Sequence, residues 1–211
     1  MKRKAFTLIE LLVVIAVIAI LMGILLPAIG MVRTKAKESK ARGEISAIVT
    51  ALKQFESEYG KFPKVSGSPS TGDFELTPGK KKDGYYEMDD DYYELMDILT
   101  FSDHTDAGET PNDSSDQRKQ NPRGIIFLEA STAYYSSDVK KNGFRDPWGR
   151  SYGILMDTDY DKVITLPNAA RKNGDPDKLR TNVAVYSYGS NTVETPSSDE
   201  ERNKVISSWS N

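Results

Sequence analysis

Three regimes of apolar and polar residues follow one another along this chain. From Leu11 to Ile29 there are 19 consecutive uncharged residues, nearly all apolar, entered through Phe6 to Ile9 and a single acid, Glu10. At about 1.5 Å per residue in a helix, such a run covers the roughly 30 Å hydrocarbon layer of a bilayer. From Thr34 to Tyr59 there is no proline and one glycine, Gly43. Here Ala41, Ile45, Ile48, Leu52, Phe55 and Tyr59 recur at spacings of four, three, four, three and four. That is the period of an amphipathic helix. Gly60 and then Pro63 supply a stop. One helix from Phe6 to Tyr59 is therefore predicted, apolar over 6–32 and amphipathic over 33–60, roughly 80 Å long if helical throughout. The stripe on its second half packs on a globular body or on a coiled-coil partner.

Beyond Gly60 the period changes. Residues 61–84, rich in Gly, Pro, Ser and Lys, read as loop. Within 85–101, Asp91 and Glu94 form a capping-box-like start, and Tyr92, Leu95, Met96 and Leu99 share one face, so a short helix is predicted. Residues 102–123 are polar without period and read as loop, and the apolar run 125–128 is helix or strand. The last third carries strand-like runs at 152–156, 162–166 and 183–188, bounded by Asp, Asn, Pro and Gly. The first two flank 157–161 and suggest an antiparallel hairpin. The expected class is α+β: a long N-terminal helix on a small antiparallel sheet.

Composition narrows the chemistry. The 211 residues include no Cys, which removes disulfides, thiol catalysis and thiolate metal sites. Residues 1–59 hold nine Lys+Arg against five Asp+Glu, and residues 60–211 hold 19 against 26. So acidic a C-terminal part argues against nucleic acid as a partner. His104 stands alone in a polar stretch, and no nucleophile-elbow, P-loop or dinucleotide motif occurs. No enzyme is expected. Asp157, Asp159 and Asp161 imitate the opening of a calcium loop, but Lys162 and Asn168 stand where glycine and glutamate are required, so a polar turn is the better reading.

The N-terminus is the informative end. Lys2, Arg3 and Lys4 precede the apolar run, and a carboxylate beside it is a functional hypothesis by default. Pro27 leaves the carbonyl of Gly23 without its helical donor and marks a place for a kink. A secretory signal could place its cut near Ala28-Ile29-Gly30, but its apolar core is shorter and carries no acid. A plain membrane anchor is the other rival. The basic residues Arg33, Lys35, Lys37, Lys40 and Arg42 beyond the span outnumber those before it, which opposes a cytoplasmic N-terminus by charge alone.

Lys4-Ala5-Phe6-Thr7-Leu8-Ile9-Glu10 resembles the processing signal of type IV pilins and type II secretion pseudopilins. That resemblance implies a leader of residues 1–5, cleavage between Ala5 and Phe6 by a prepilin peptidase, methylation of Phe6, and assembly roles for Phe6, Glu10 and Pro27. Ala5 departs from the family's usual glycine. It also implies a cytoplasmic N-terminus, storage in the bacterial inner membrane with a periplasmic head, and assembly of the chain with itself on an inner-membrane platform beside minor pseudopilins. Phe144 to Tyr152, with Asp146, Pro147, Trp148, Gly149 and Tyr152, is similar to a segment of the major pseudopilin, as are 185–189 and 206–209 with the closing Trp209. On that reading 144–211 is the sheet-bearing head and 61–143 a variable region of loop and short helix. The same resemblance implies a calcium ion in the loop 190–204, where Asn191 and Asp199 are the candidate ligands. It favours a type II secretion pseudopilus subunit, with a type IV pilin, a minor pseudopilin or a non-filament anchor as alternatives.

Overall fold

The structure, a computed structural model, describes residues 8–69, 72–82, 84–102, 116–129, 143–193 and 195–210, with side chains at all of these except 24–28, 116 and 117. The chain divides into two units, Met1–Lys37 and Glu38–Asn211.

In the first unit the described residues form the opening of α1 (Leu8–Tyr59), with Glu10 in its first turn. Its apolar residues, from Leu8 through Leu21 and again at Met31 and Val32, are exposed. Over its described residues no helix is long and apolar enough to cross a membrane.

In the second unit the predicted stripe is the inner face of α1. Ala41, Ile45, Ile48, Leu52 and Phe55 are all buried, joined by Ala51. The helix stops where Gly60 takes a left-handed φ of 69° and donates its N–H to Glu56, a conformation glycine adopts without a Cβ penalty. Against this face lies a four-stranded antiparallel sheet in the order β1-β4-β7-β8, made of β1 (Phe74–Leu76), β4 (Gly153–Met156), β7 (Val183–Ser187) and β8 (Ile206–Ser207). Every residue of the two central strands is buried, because both faces are covered. Ile154, Met156, Val183 and Val185 join the α1 core. Leu155, Ala184 and Tyr186 join a second core with Ile164, Leu166, Val205 and Trp209.

Several expectations need correction. The runs at 152–156 and 162–166 do not form a hairpin. β4 is flanked on both sides, by β1 and β7, while β5 (Ile164–Thr165) pairs with β6 (Lys178–Leu179). The acidic turn drives the separation: the buried Asp157 carboxylate accepts the N–H groups of Asp161 and Lys162, and Tyr160 and Lys162 both take positive φ. The chain is thus swung off the sheet rather than folded back along it. Nor is 61–84 all loop, since it supplies edge strand β1 and, with Tyr85–Tyr86 (β3), the small hairpin begun by β2 (Lys81–Lys82).

The short helix α2 (Asp90–Thr100) buries Tyr92, Leu95, Met96 and Leu99 as the spacing predicts. Its N-cap is Asp89 rather than Asp91. Asp91 and Glu94 instead hold the loop after α1, accepting from the N–H groups of Gly67 and Ser66. The run 125–128 is neither helix nor strand. Phe127 and Leu128 donate to the Leu99 carbonyl at the end of α2. Within 102–123, expected to be loop, the described residues include a short helix, α3 (Asp116–Gln120), and after it Asn121, wholly buried, accepts from Tyr59 and the Ile125 N–H and donates to the carbonyls of Ile98 and Ile125. His104 lies outside the described residues.

Candidate functional site

Of the residues expected at the N-terminus, Ala5, Phe6 and the side chain of Pro27 lie outside those described. Glu10 is described. It sits on the exposed first turn of α1 beside Ile9, Val13 and Val14, which line a shallow apolar hollow with it. A contiguous apolar surface of this kind marks a site that lipid or another protein covers. The carboxylate within it is the one charged group between Leu8 and Val32.

The motif residues 146–152 gather at the C-terminal end of the second unit's main core. Asp146 is buried; its Oδ1 accepts the N–H groups of Trp148 and Arg150, at 2.9 Å each, and its Oδ2 accepts the Ser187 hydroxyl at 2.6 Å. Burial pushes its carboxyl above the usual carboxylate range, opposed by Ser187, by the two N–H groups and by the nearby Arg150. Pro147 opens the turn, and Gly149 closes it at φ 91° with its N–H on the Asp146 carbonyl. Trp148 packs on the main core. Tyr152, fully buried, donates to Glu44 of α1 at 2.5 Å and so ties the strand to the helix. Burial, then the Glu44 carboxylate, raises its phenol far above the ordinary value. Trp209 lies edge-on to Tyr186 and donates its indole N–H to Asp175. These groups are all spent on packing and hydrogen bonds, and none faces a cavity with a reactive partner. Arg150, one residue beyond the motif's glycine, is the functional surprise. Its guanidinium is completely buried, stacked 4.1 Å over the Tyr86 ring. Sequence reading passes over it because an arginine in a polar run signals surface.

The calcium expectation was placed on Asn191 and Asp199. Asn191 is buried, and its amide nitrogen donates to the carbonyls of Tyr188 and Glu201 at 2.6 and 2.8 Å. Asp199 pairs with Arg202 at 2.5 Å. A hard cation needs several converging oxygens, and among the described residues these two side chains do not offer them. Three carboxylates do approach one another elsewhere: Asp73, Asp157 and Asp159 lie with oxygens within 4.8 Å. Both oxygens of Asp157 are already taken by backbone N–H groups. Burial, then the neighbouring Asp159, Asp157 and Asp161, pushes Asp73 up, against one backbone N–H from Thr165. No spacing rule links Asp73 to 157–159, so only the folded sheet shows this cluster.

Comparison with known proteins bears on the N-terminus. Residues 1–26 match the prokaryotic N-terminal methylation motif. A type IV major pilin protein, PilA, of Myxococcus xanthus (strain DK1622) is 38% identical over 61 residues, which is 29% of this chain and 28% of that protein. The match thus spans under a third of the relative's length. No solved structure matches the chain.

Proposed function

We propose that this chain, which carries the N-terminal methylation motif of type IV pilins and pseudopilins, is a structural subunit of a pilus-like filament, cut between Ala5 and Phe6 and polymerised through the apolar half of α1. The observation that carries the reading is the motif itself, followed directly by a helix whose apolar side chains lie exposed around one acid. Lipid covers that surface in the stored subunit, held in the inner membrane with its N-terminus cytoplasmic and its head periplasmic. Neighbouring copies cover it in the filament. Cleavage by a prepilin peptidase frees an α-amine on Phe6, with an ordinary pKa of about 7.7–8.0 and hence mostly protonated at neutral pH. That cation on one copy pairs with Glu10 on the next and offsets the cost of burying the carboxylate. Removing one partner of such a buried pair costs about 3–5 kcal/mol. Glu10→Ala is therefore expected to insert normally and yield few or no filaments. Wild-type filament yield from that variant would refute the pairing.

Between branches we favour the pseudopilus of a type II secretion system, built on an inner-membrane platform with minor pseudopilins and serving protein export. The Asp146–Tyr152 segment and the absence of any cysteine for a disulfide loop support it. The alternative is a type IV pilin, which the Myxococcus relative supports over the N-terminal part of the chain. Deleting the gene separates them. Loss of a secreted enzyme with surface fibres intact marks the pseudopilin, and loss of surface fibres marks the pilin.

A further inference from the structure

The loop after β7, from Gly189 to Lys204, returns to the sheet through α4 (Asp199–Arg202) and β8. Three backbone carbonyls, those of Val193 and Glu201 within the loop and of Tyr188 just before it, each accept from a side-chain nitrogen. Asn191 Nδ2 donates to Tyr188 and Glu201, and Arg150 Nη2 donates to Val193 at 2.5 Å. We infer that this loop is a metal-independent clasp, in which the Asn191 amide and the Arg150 guanidinium gather the carbonyl oxygens that a bound cation would otherwise collect.

The chemistry of the donor set carries the point. Two carbonyls facing one side-chain amide fix its orientation, because the reverse orientation would set oxygen against oxygen. The amide oxygen is then buried and makes no hydrogen bond. One neutral oxygen falls well short of the six to eight that calcium takes. The carboxylates of α4 are engaged locally. Glu201 accepts the N–H groups of Ser197 and Ser198 in a capping box, Asp199 pairs with Arg202, and Glu200 pairs with Lys204. Arg202 also reaches Asn168, which ties the short helix to the turn after β5. Arg150 supplies a fixed positive charge. It is fully buried between the rings of Tyr86 and Tyr188, at 4.1 and 5.6 Å, and donates to the Tyr86 hydroxyl as well as to Val193. The positive charge comes from the chain itself, so the clasp needs no cation from solution. Its stability is independent of whether the chain polymerises.

The test uses the full-length chain in detergent, with thermal unfolding and tryptic cleavage at Arg202 and Lys204 followed in excess EDTA and in millimolar calcium. The wild-type midpoint and cleavage rate are expected to coincide in the two conditions. Arg150→Met and Asn191→Leu are expected to speed cleavage in the loop roughly tenfold, equally with and without calcium. Asn191→Asp, which sets a carboxylate against two carbonyls, is expected to lower the midpoint in EDTA. A wild-type midpoint that falls in EDTA or rises with calcium would overturn the inference, and this measurement decides even where a variant does not fold. Unchanged loop cleavage in both Arg150→Met and Asn191→Leu would also overturn it.

Discussion

Asp146 accepts hydrogen bonds from groups two, four and 41 positions away, so one side chain closes a turn and fastens it to β7. Asp146→Ala would leave two buried N–H groups and a hydroxyl without an acceptor. It is expected to destabilise the folded chain by about 2–4 kcal/mol in denaturant titration, since bonds to a charged acceptor are worth more than neutral ones. Asp73, like Asp146, is raised by burial, but a single backbone N–H opposes that rise. Its folded-state pKa lies above the ordinary 3.8, so the folded chain holds that proton to higher pH than the unfolded chain does. The associated stability is complete below about pH 4 and is lost as pH rises through the raised value. Asp73→Asn should therefore match wild type at low pH and unfold at a higher temperature at neutral pH. An equal or lower midpoint at neutral pH would contradict the burial, and behind it the neighbouring carboxylates, that raise Asp73. The turn residues Asp146, Pro147 and Gly149 were legible in sequence because turn chemistry is local. Their distant partner Ser187, the buried Arg150 and the four-bond Asn121 were not, because nothing local distinguishes a buried polar side chain from a solvated one.

Among the elements, the sequence period of α1 finds five of its buried stripe residues, Ala41, Ile45, Ile48, Leu52 and Phe55, while Ala51 joins them unannounced and Tyr59 is only half-buried. The strands were harder. β4 and β7 announce themselves as apolar runs, but an apolar run does not name its partners, and β4 lies between β1 and β7 rather than beside the run that follows it. β1, only three residues set between prolines and glycines, carries too little pattern to be seen. Pairing leaves its own constraint: Gly153 stands opposite Tyr186, and a Cβ there would overlap the tyrosine ring. Gly153→Ala is expected to cost about 1–3 kcal/mol or more by overpacking, read as a lowered denaturation midpoint with unchanged slope. Tyr152→Phe, which deletes the bond to the Glu44 carboxylate and little else, should cost about 1.5–3 kcal/mol.

For the whole molecule, fold and function were legible in different places. Residues 1–26 carry the match to the N-terminal methylation motif, on which the proposed filament role rests, and the second unit carries the α+β architecture. In the loop where the resemblance implies calcium, the carbonyls of Tyr188, Val193 and Glu201 accept from the side chains of Asn191 and Arg150, two residues far apart in sequence. What the account depends on is that the leader is removed and the helix behind it becomes the assembly element. Mass spectrometry of the protein isolated from its native membranes tests this most directly. The account predicts a chain beginning at Phe6 with a methylated amine; one beginning at Met1, or at Met31 after the apolar run, would contradict it.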